Sequence, residues 1–379
     1  MRSIDVHRWI AAAWGCLALA VALSCRSGQA VGQEVAGRDD GVSFAYFAGS
    51  NLSRSKRNAI GVYRMSSADG GLTPVVEQPL ENPGPLAVHA GNRRLYAVSY
   101  PDKIHAYEID PGTGGLKSLV EIQLPGRPEY IAVDRRGRCL LAAMYHQKQV
   151  VACPLDEQGR PQADRVQSLD AGERPHAILG DRHGKFVYVP CAGEIWQYAW
   201  NEDGTGLAPK EVARHKPPQG RHRPRHLWFH PTKDWLYVVN ESSRTVTFFQ
   251  VDPETGGLTA VQTLPTVPED VVKGSGADIH VTPDGRFVYA STREHDSIAG
   301  FAIDQKSGEL TPLGQAATAR GPRDFAIDPS GRFVVAGGTG RSIVVHAIDE
   351  ESGRTKTKHT YDVAVGPVWV EVVGFPPPR

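Results

Sequence analysis

The chain has no surplus of either charge: lysine plus arginine and aspartate plus glutamate are both 42 in 379 residues, so the net charge is zero. A nucleic-acid surface shows itself as a basic excess, so nucleic acid is not an expected partner. Methionine is scarce, at 3, and of the 5 cysteines only Cys139, Cys153 and Cys191 lie beyond residue 30. An odd set of three cannot close a full disulfide framework, and the spacing matches no zinc pattern. These cysteines are read as small buried hydrophobes, and neither a metal nor another cofactor is expected. No Gly-x-Ser-x-Gly elbow occurs, which leaves a serine-esterase mechanism without its usual turn.

The long apolar run lies at the start. Arg2, His7 and Arg8 precede "WIAAAWGCLALAVALS", and small and polar residues follow. A charged n-region, an apolar h-region and a small-residue tail make an export signal, too short to be a membrane span. Residues 1–30 are assigned to the signal, 31–41 to a linker and 42–375 to one folded domain without a transmembrane segment. The protein is expected outside the cytoplasm, periplasmic or extracellular. Processing has two open outcomes, cleavage near Ala30 or lipid attachment at Cys25, because "ALSC" loosely resembles a lipobox with Ala22 where leucine is preferred.

What the chain has in quantity is turn residues, 40 glycines and 28 prolines, which fits many turns and few helices. They recur at intervals. "ADGGLTP", "GTGGLKS", "EQGRPQ", "GTGLAP", "ETGGLTA", "KSGELTP" and "ESGRTKT" place Leu72, Leu116, Arg160, Leu207, Leu258, Leu310 and Arg354 at equivalent positions, 44, 44, 47, 51, 52 and 44 residues apart. Each unit holds a second turn, such as "DRRGR", "DRHGK", "HPTKD", "TPDGR" or "DPSGR", with "AGNRR" a weaker copy. Short alternating runs rich in Val, Ile, Phe and Tyr lie between the turns and read as strands. In the fifth unit they are "RHLWF", "WLYVVN", "TVTFFQV" and "LTAVQTL". Seven four-stranded antiparallel meanders predict an all-β, seven-bladed β-propeller. The first unit lacks an innermost strand and the C-terminal "GPVWVEVV" lacks a blade, so Val368–Val373 is expected to close the ring and pair both loose edges.

The meander also sorts the loops. The "PDGR" and "TGGL" turns share one face, and the opposite rim collects the remaining connections. On that rim, "RPEYIAV", "RPHAILG", "RPRHLWF" and "GPRDFAI" superpose Glu129, His176, Arg225 and Arg323 at the channel mouth, while second strands end at Tyr145, Glu241 and Arg293. Polar groups converging from successive blades are the default mark of a site. Arginines offer forked donors to a carboxylate or phosphate, or steady an oxyanion. Glu241 and His176 can carry a proton to or from water. That kit fits addition of water to an ester carbonyl. His222 and His226 stand four apart, but in a proline-containing loop, where the spacing does not read as a metal motif.

Taken together, "RPHAILGD", "PRHLWFHP", "YVVNE", "ADIHVTPDGRFVYAS" with Arg293 after it, and "GPRDFAIDPSGRF" resemble the seven-bladed lactonase family over about residues 42 to 373. That family includes propeller-type 6-phosphogluconolactonases and the fungal carboxy-muconate lactonizing enzyme. The resemblance implies lactone hydrolysis without a metal, with Glu241, His176, Arg225 and Arg293 as the catalytic set. Glu129, Tyr145, His226, Asp278 and Arg323 are assigned to substrate contact. Three places depart from the family pattern: Cys191-Ala192-Gly193 replaces an Asp-Leu-Gly-type segment, Met144-Tyr145 an Asn-Tyr, and Arg293-Glu294 an Arg-Gly. The expected partner is a small-molecule lactone or anionic carbohydrate-type ligand, and export favours an unphosphorylated one. Two alternatives stand beside this: a non-catalytic propeller that binds a ligand or protein on this rim, and a muconate-type lactonizing enzyme. The export reading predicts that the mature protein lacks residues 1 to about 24 or 30; mass spectrometry of its N-terminus distinguishes lipidated Cys25 from simple cleavage, and an intact Met1 contradicts both.

Overall fold

Each repeat folds as a meander whose strands differ according to their distance from the ring axis. In the fifth blade the second strand, Trp235–Asn240, is buried at every position, because both of its faces pack against neighbouring blades. The outermost, Leu258–Pro265, has no fully buried residue. The computed structural model describes residues 41–49, 58–89, 91, 93–218, 220, 222–363 and 366–376. The export signal, Cys25 and the linker up to residue 40 lie outside the described residues. Seven four-stranded antiparallel sheets follow one another in order. The helical content among the described residues is one 3-10 turn, Ala163–Arg165.

The ring closes as the unpaired ends require. Pro367–Phe375 joins the first blade antiparallel to Val42–Gly49, with Phe44 opposite Val373, Tyr46 opposite Glu371 and Ala48 opposite Trp369. Phe44, Tyr46, Val368, Trp369 and Phe375 then share a core with Leu86 and Leu95 of the second blade, so the strand is held by packing as well as by its ladder. One innermost strand is shorter than expected. In "RPHAILG" only Leu179–Gly180 pairs regularly, although the His176 N–H already donates to Pro190 O at 3.0 Å; Pro175 has no N–H to extend a ladder.

Adjacent blades are joined by a repeated hydrogen bond. The hydroxyls of Tyr46, Tyr96, Tyr188, Tyr237 and Tyr289, each on a second strand, donate to the carbonyls of Gly114, Gly159, Gly256, Gly308 and Gly353 in the following blade, at 2.6–2.9 Å. Each glycine sits at positive φ in the turn between third and fourth strands. At Gly308 a Cβ would also collide with the rings of Phe248 and Trp235, so the turn needs glycine on two counts. The third and seventh blades carry Leu141 and Val335 at the tyrosine position. There the junctions use Arg138 Nη1 donating to Asp203 O at 3.1 Å, and the Leu72 N–H donating to the Tyr361 hydroxyl at 2.7 Å.

Tyr237→Phe strands the buried Gly308 carbonyl and is expected to cost about 1–3 kcal/mol, read from the urea midpoint at unchanged slope. A chain ending at residue 363 bares the Val42–Gly49 edge and is expected to lose cooperative unfolding and to aggregate, as followed by size exclusion.

Candidate functional site

Two breaks in the ladders build the site. In the fifth blade, Pro224 pairs with Asn240 but His226 pairs with Val239, leaving Arg225 as the extra residue of a bulge. In the sixth, Gly276 pairs with Thr292 and Ile279 with Ala290, so Ala277 and Asp278 fall in a second bulge. Bulges re-aim side chains and free backbone groups. Here the freed groups find partners: Ala277 O accepts from Arg225 Nη1, and the Asp278 N–H donates to Ser291 Oγ at 3.0 Å.

Arg225 is 1% exposed. Its Nη1 also lies 3.1 Å from His226 Nε2, while Nε and Nη2 are buried without a hydrogen-bond partner among the described residues. A buried guanidinium with two idle donors is expensive, so this is a place where an external acceptor is favoured. Burial, and then the positive charges of Arg323 and Arg293, push its pKa down to about 9, which still leaves it charged at neutral pH.

Glu241 lies between two arginines. Arg293 Nη2 donates to its Oε1 at 2.7 Å. Arg223 Nη1 stands 3.0 Å from Oε2, an ion pair directed too poorly for a hydrogen bond. Burial pushes the Glu241 carboxyl up, but Arg225, the Arg293 hydrogen bond and Arg223 outweigh it and hold the group below its ordinary value. Arg223 Nη2 also donates to the Tyr145 hydroxyl at 2.6 Å, and the Tyr145 ring stands edge-on to His176 at 5.0 Å. Burial, then Arg225 and His226, drive the His176 pKa well below the ordinary histidine value, so its imidazole is neutral. A second cluster adjoins: Glu129 takes Arg323 at 3.3 Å and Arg127 at 3.1 Å, with Arg127 also lying over the Tyr100 ring.

Of the residues singled out by sequence, Glu241 and Arg293 touch directly. Arg225 lies within their field, His176 and Tyr145 pack together, and Glu129 pairs with Arg323. His226 and Asp278 lie deeper, behind Arg225. Sequence reasoning passed over Arg127, Arg223 and Asp324. The signal for the arginines was present in the repeated Arg-Pro, two residues ahead of Glu129 and of Arg225. For Asp324 it was adjacency to Arg323 at the start of an innermost strand.

Below the mouth, a cavity of ≈ 170 Å³ is lined by innermost strands of all seven blades and includes Trp228, Asp278, His280, Asp324, Trp369 and Glu371. Asp278 and Asp324 divide their roles. Burial raises both, but His280 and His226 overcome it at Asp278 and keep it ionised. Burial and the charge of Asp278 lift Asp324 well above the carboxylate range, so it is neutral. Burial and Asp278 likewise push Glu371 up to about 8. Ligand atoms of His226, Asp278 and Asp324 lie within 4.8 Å of one another, close enough to hold a metal ion, though His226 Nδ1 and Asp278 Oδ1 are engaged with each other at 2.7 Å.

A closed ring of seven four-stranded blades, with arginines and carboxylates converging over its channel, defines a seven-bladed propeller with a charged site at the channel mouth. Residues 46–372 match the family described as "Lactonase, 7-bladed beta-propeller", and the chain belongs to that family. It is 34% identical to the 6-phosphogluconolactonase of Klebsiella pneumoniae over 80% of this chain and 93% of that one. The same identity holds to the 6-phosphogluconolactonase of Serratia proteamaculans, over 78% and 91%. The solved structure of the periplasmic gluconolactonase PpgL of Pseudomonas aeruginosa superposes with a TM-score of 0.77 at 25% identity, covering 88% of this chain and 99% of that one. The chain is a lactone hydrolase of that family, as its resemblance implied. Among the described residues no helix is long and apolar enough to cross a membrane.

Proposed function

We propose that hydrolysis takes place in the arginine pocket at the channel mouth, without a metal in the reaction, and that the lactone carries an anionic group. The observation that carries this reading is the buried Arg225 with two idle donors beside a neutral His176. In the cluster, Arg127, Arg223, Arg225, Arg293 and Arg323 outnumber Glu129 and Glu241, so a ligand carboxylate or phosphate completes the charge balance. The relatives are named 6-phosphogluconolactonase, for a phosphorylated lactone; the export signal read in the sequence favours an unphosphorylated, carboxylated lactone here.

The chemistry follows from the protonation states. His176 takes a proton from water as the water oxygen adds to the lactone carbonyl carbon. The carbonyl oxygen becomes an oxyanion and accepts from Nε and Nη2 of Arg225, donors already fixed before the charge develops. The tetrahedral intermediate then expels the ring oxygen, which takes the proton back from His176, giving a hydroxy acid. Glu241, ionised and pinned, keeps Arg293 and Arg223 in place to hold the anionic end of the substrate. Protons balance, and the histidine returns neutral.

A pH-indicator assay over neutral, carboxylated and phosphorylated lactones is expected to show acid release greatest on an anionic one. Arg225→Ala should lower kcat by about 10²–10³-fold, and Glu241→Gln should raise KM. No release from any lactone by folded wild type would overturn the reading in favour of a binding protein. The pH profile adds a sign. The base must be deprotonated and its pKa is depressed, so activity should persist below the ordinary histidine range as pH falls. Arg323→Gln removes one of the positive charges that depress it, and should move the acid limb upward; a limb unmoved by that substitution contradicts His176 as the base.

A further inference from the structure

Arg225 is held from behind by side chains that the reaction does not touch. Asp278 Oδ1 faces His226 Nδ1 at 2.7 Å, and His226 Nε2 faces Arg225 Nη1 at 3.1 Å. The Arg225 guanidinium can only donate, so Nε2 must be the acceptor and the proton of the neutral ring belongs on Nδ1, where the Asp278 carboxylate accepts it. We propose that His226 and Asp278 are positioning residues for Arg225: they fix the imidazole tautomer that accepts Nη1 and thereby leave Nε and Nη2 for a ligand oxygen. The proposal relies on the lactonase reading only for the reaction that Arg225 serves.

The surroundings favour the same arrangement. Burial and then the neighbouring Arg225 push the His226 pKa down to about 3, so no second proton competes for Nε2. Asp278 is itself fixed, its Oδ2 accepting from His280 Nε2 at 2.8 Å and from the Phe325 N–H at 3.2 Å. Rings close the remaining sides of His226: Tyr130 edge-on at 5.0 Å, Trp369 stacked at 6.3 Å and His176 at 6.0 Å. With His226 and Asp278 both almost fully buried, neither is placed to meet a substrate first. A second anchor, Ala277 O, takes the same Nη1. One guanidinium nitrogen is therefore immobilised by the two-blade bulge pair, and the free edge is set by it.

Two substitutions separate this role from simple packing. His226→Gln can place an amide oxygen where Nε2 stands and so keep the acceptor for Arg225. His226→Asn can keep a donor toward Asp278 but offers Arg225 nothing. With inorganic phosphate as the probe in titration calorimetry, the Gln variant is expected to bind close to wild type and the Asn variant about 10-fold more weakly, the loss of one charge-assisted hydrogen bond. On whichever lactone wild type turns over, kcat should fall about 10²-fold for Asn with KM little changed, the cost of one misplaced oxyanion donor. Adding Asn to Arg225→Lys should cost little further, since groups acting through one another are not additive. Equal behaviour of Gln and Asn in phosphate binding and turnover, or additive losses, overturns the proposal. If wild type hydrolyses no lactone while phosphate still distinguishes the two variants, the functional reading fails and the positioning role stands. Thermal unfolding checks both proteins. Should the Asn variant not fold, proton NMR of the wild type decides: a downfield, slowly exchanging His226 Nδ1 proton is expected, and an Nε2-protonated ring refutes the tautomer.

Discussion

The site depends on a constraint in the backbone, the pair of bulges that face each other across blades five and six. A regular ladder would bury Arg225 against its own strand and use up the Ala277 carbonyl. By slipping one residue on each of two neighbouring innermost strands, the chain brings a guanidinium against a carbonyl that the sheet has released. The Asp278 amide released at the same place is taken by Ser291. Polar groups that would be liabilities in a core become the anchors of the pocket, and the cost of departing from the ladder is offset by the partners each departure supplies.

The electrostatics follow from enclosure. Glu241 is answered by Arg223 and Arg293 and Glu129 by Arg127 and Arg323, which leaves a positive surplus that includes Arg225, and the histidines nearby are neutral because they are buried among arginines. The carboxylates sort in the same way. Glu241 and Asp278 keep their charge because hydrogen-bond donors or cations surround them, whereas Asp324 and Glu371, buried close to the charge of Asp278, do not. Four acidic residues within one ring axis thus present only as much negative charge as the nearby arginines and histidines can answer.

The fold was legible in the chain because a propeller repeats its punctuation. Leu72, Leu116, Leu207, Leu258 and Leu310 mark the same turn, and the orphan strand at the C-terminus had one place to go. The convergence of Glu129, His176, Arg225 and Arg323 was also legible, since it follows from register alone. What the chain did not disclose were the bulges, which depend on three-dimensional partners such as Ser291, and so the depth of Asp278 and His226. Both are assigned to substrate contact when the sequence alone is followed. The Arg223 pairing with Glu241 and Tyr145 was hidden for a similar reason: a residue before proline was counted as approach to a strand and not as part of the site. The curtailed strand at Leu179–Gly180 belongs to the same class of miss.

The tyrosine–glycine bonds between blades carry a consequence for the pocket's mechanics. Blade five is clamped on both flanks, by Tyr188 to Gly256 and by Tyr237 to Gly308, and it bears Arg225. Blade four, which bears His176, is tied to blade five by Tyr188; at its other flank Leu141 replaces the tyrosine, and Arg138 to Asp203 O, Tyr198 to Asp170 O and Gln167 to both backbone groups of Leu207 serve instead. Both blades that carry these groups are therefore anchored on either flank, though by different bonds. Arg225 and His176 thus stand on neighbouring blades that share the Tyr188–Gly256 bond, and neither blade has a flank left to packing alone.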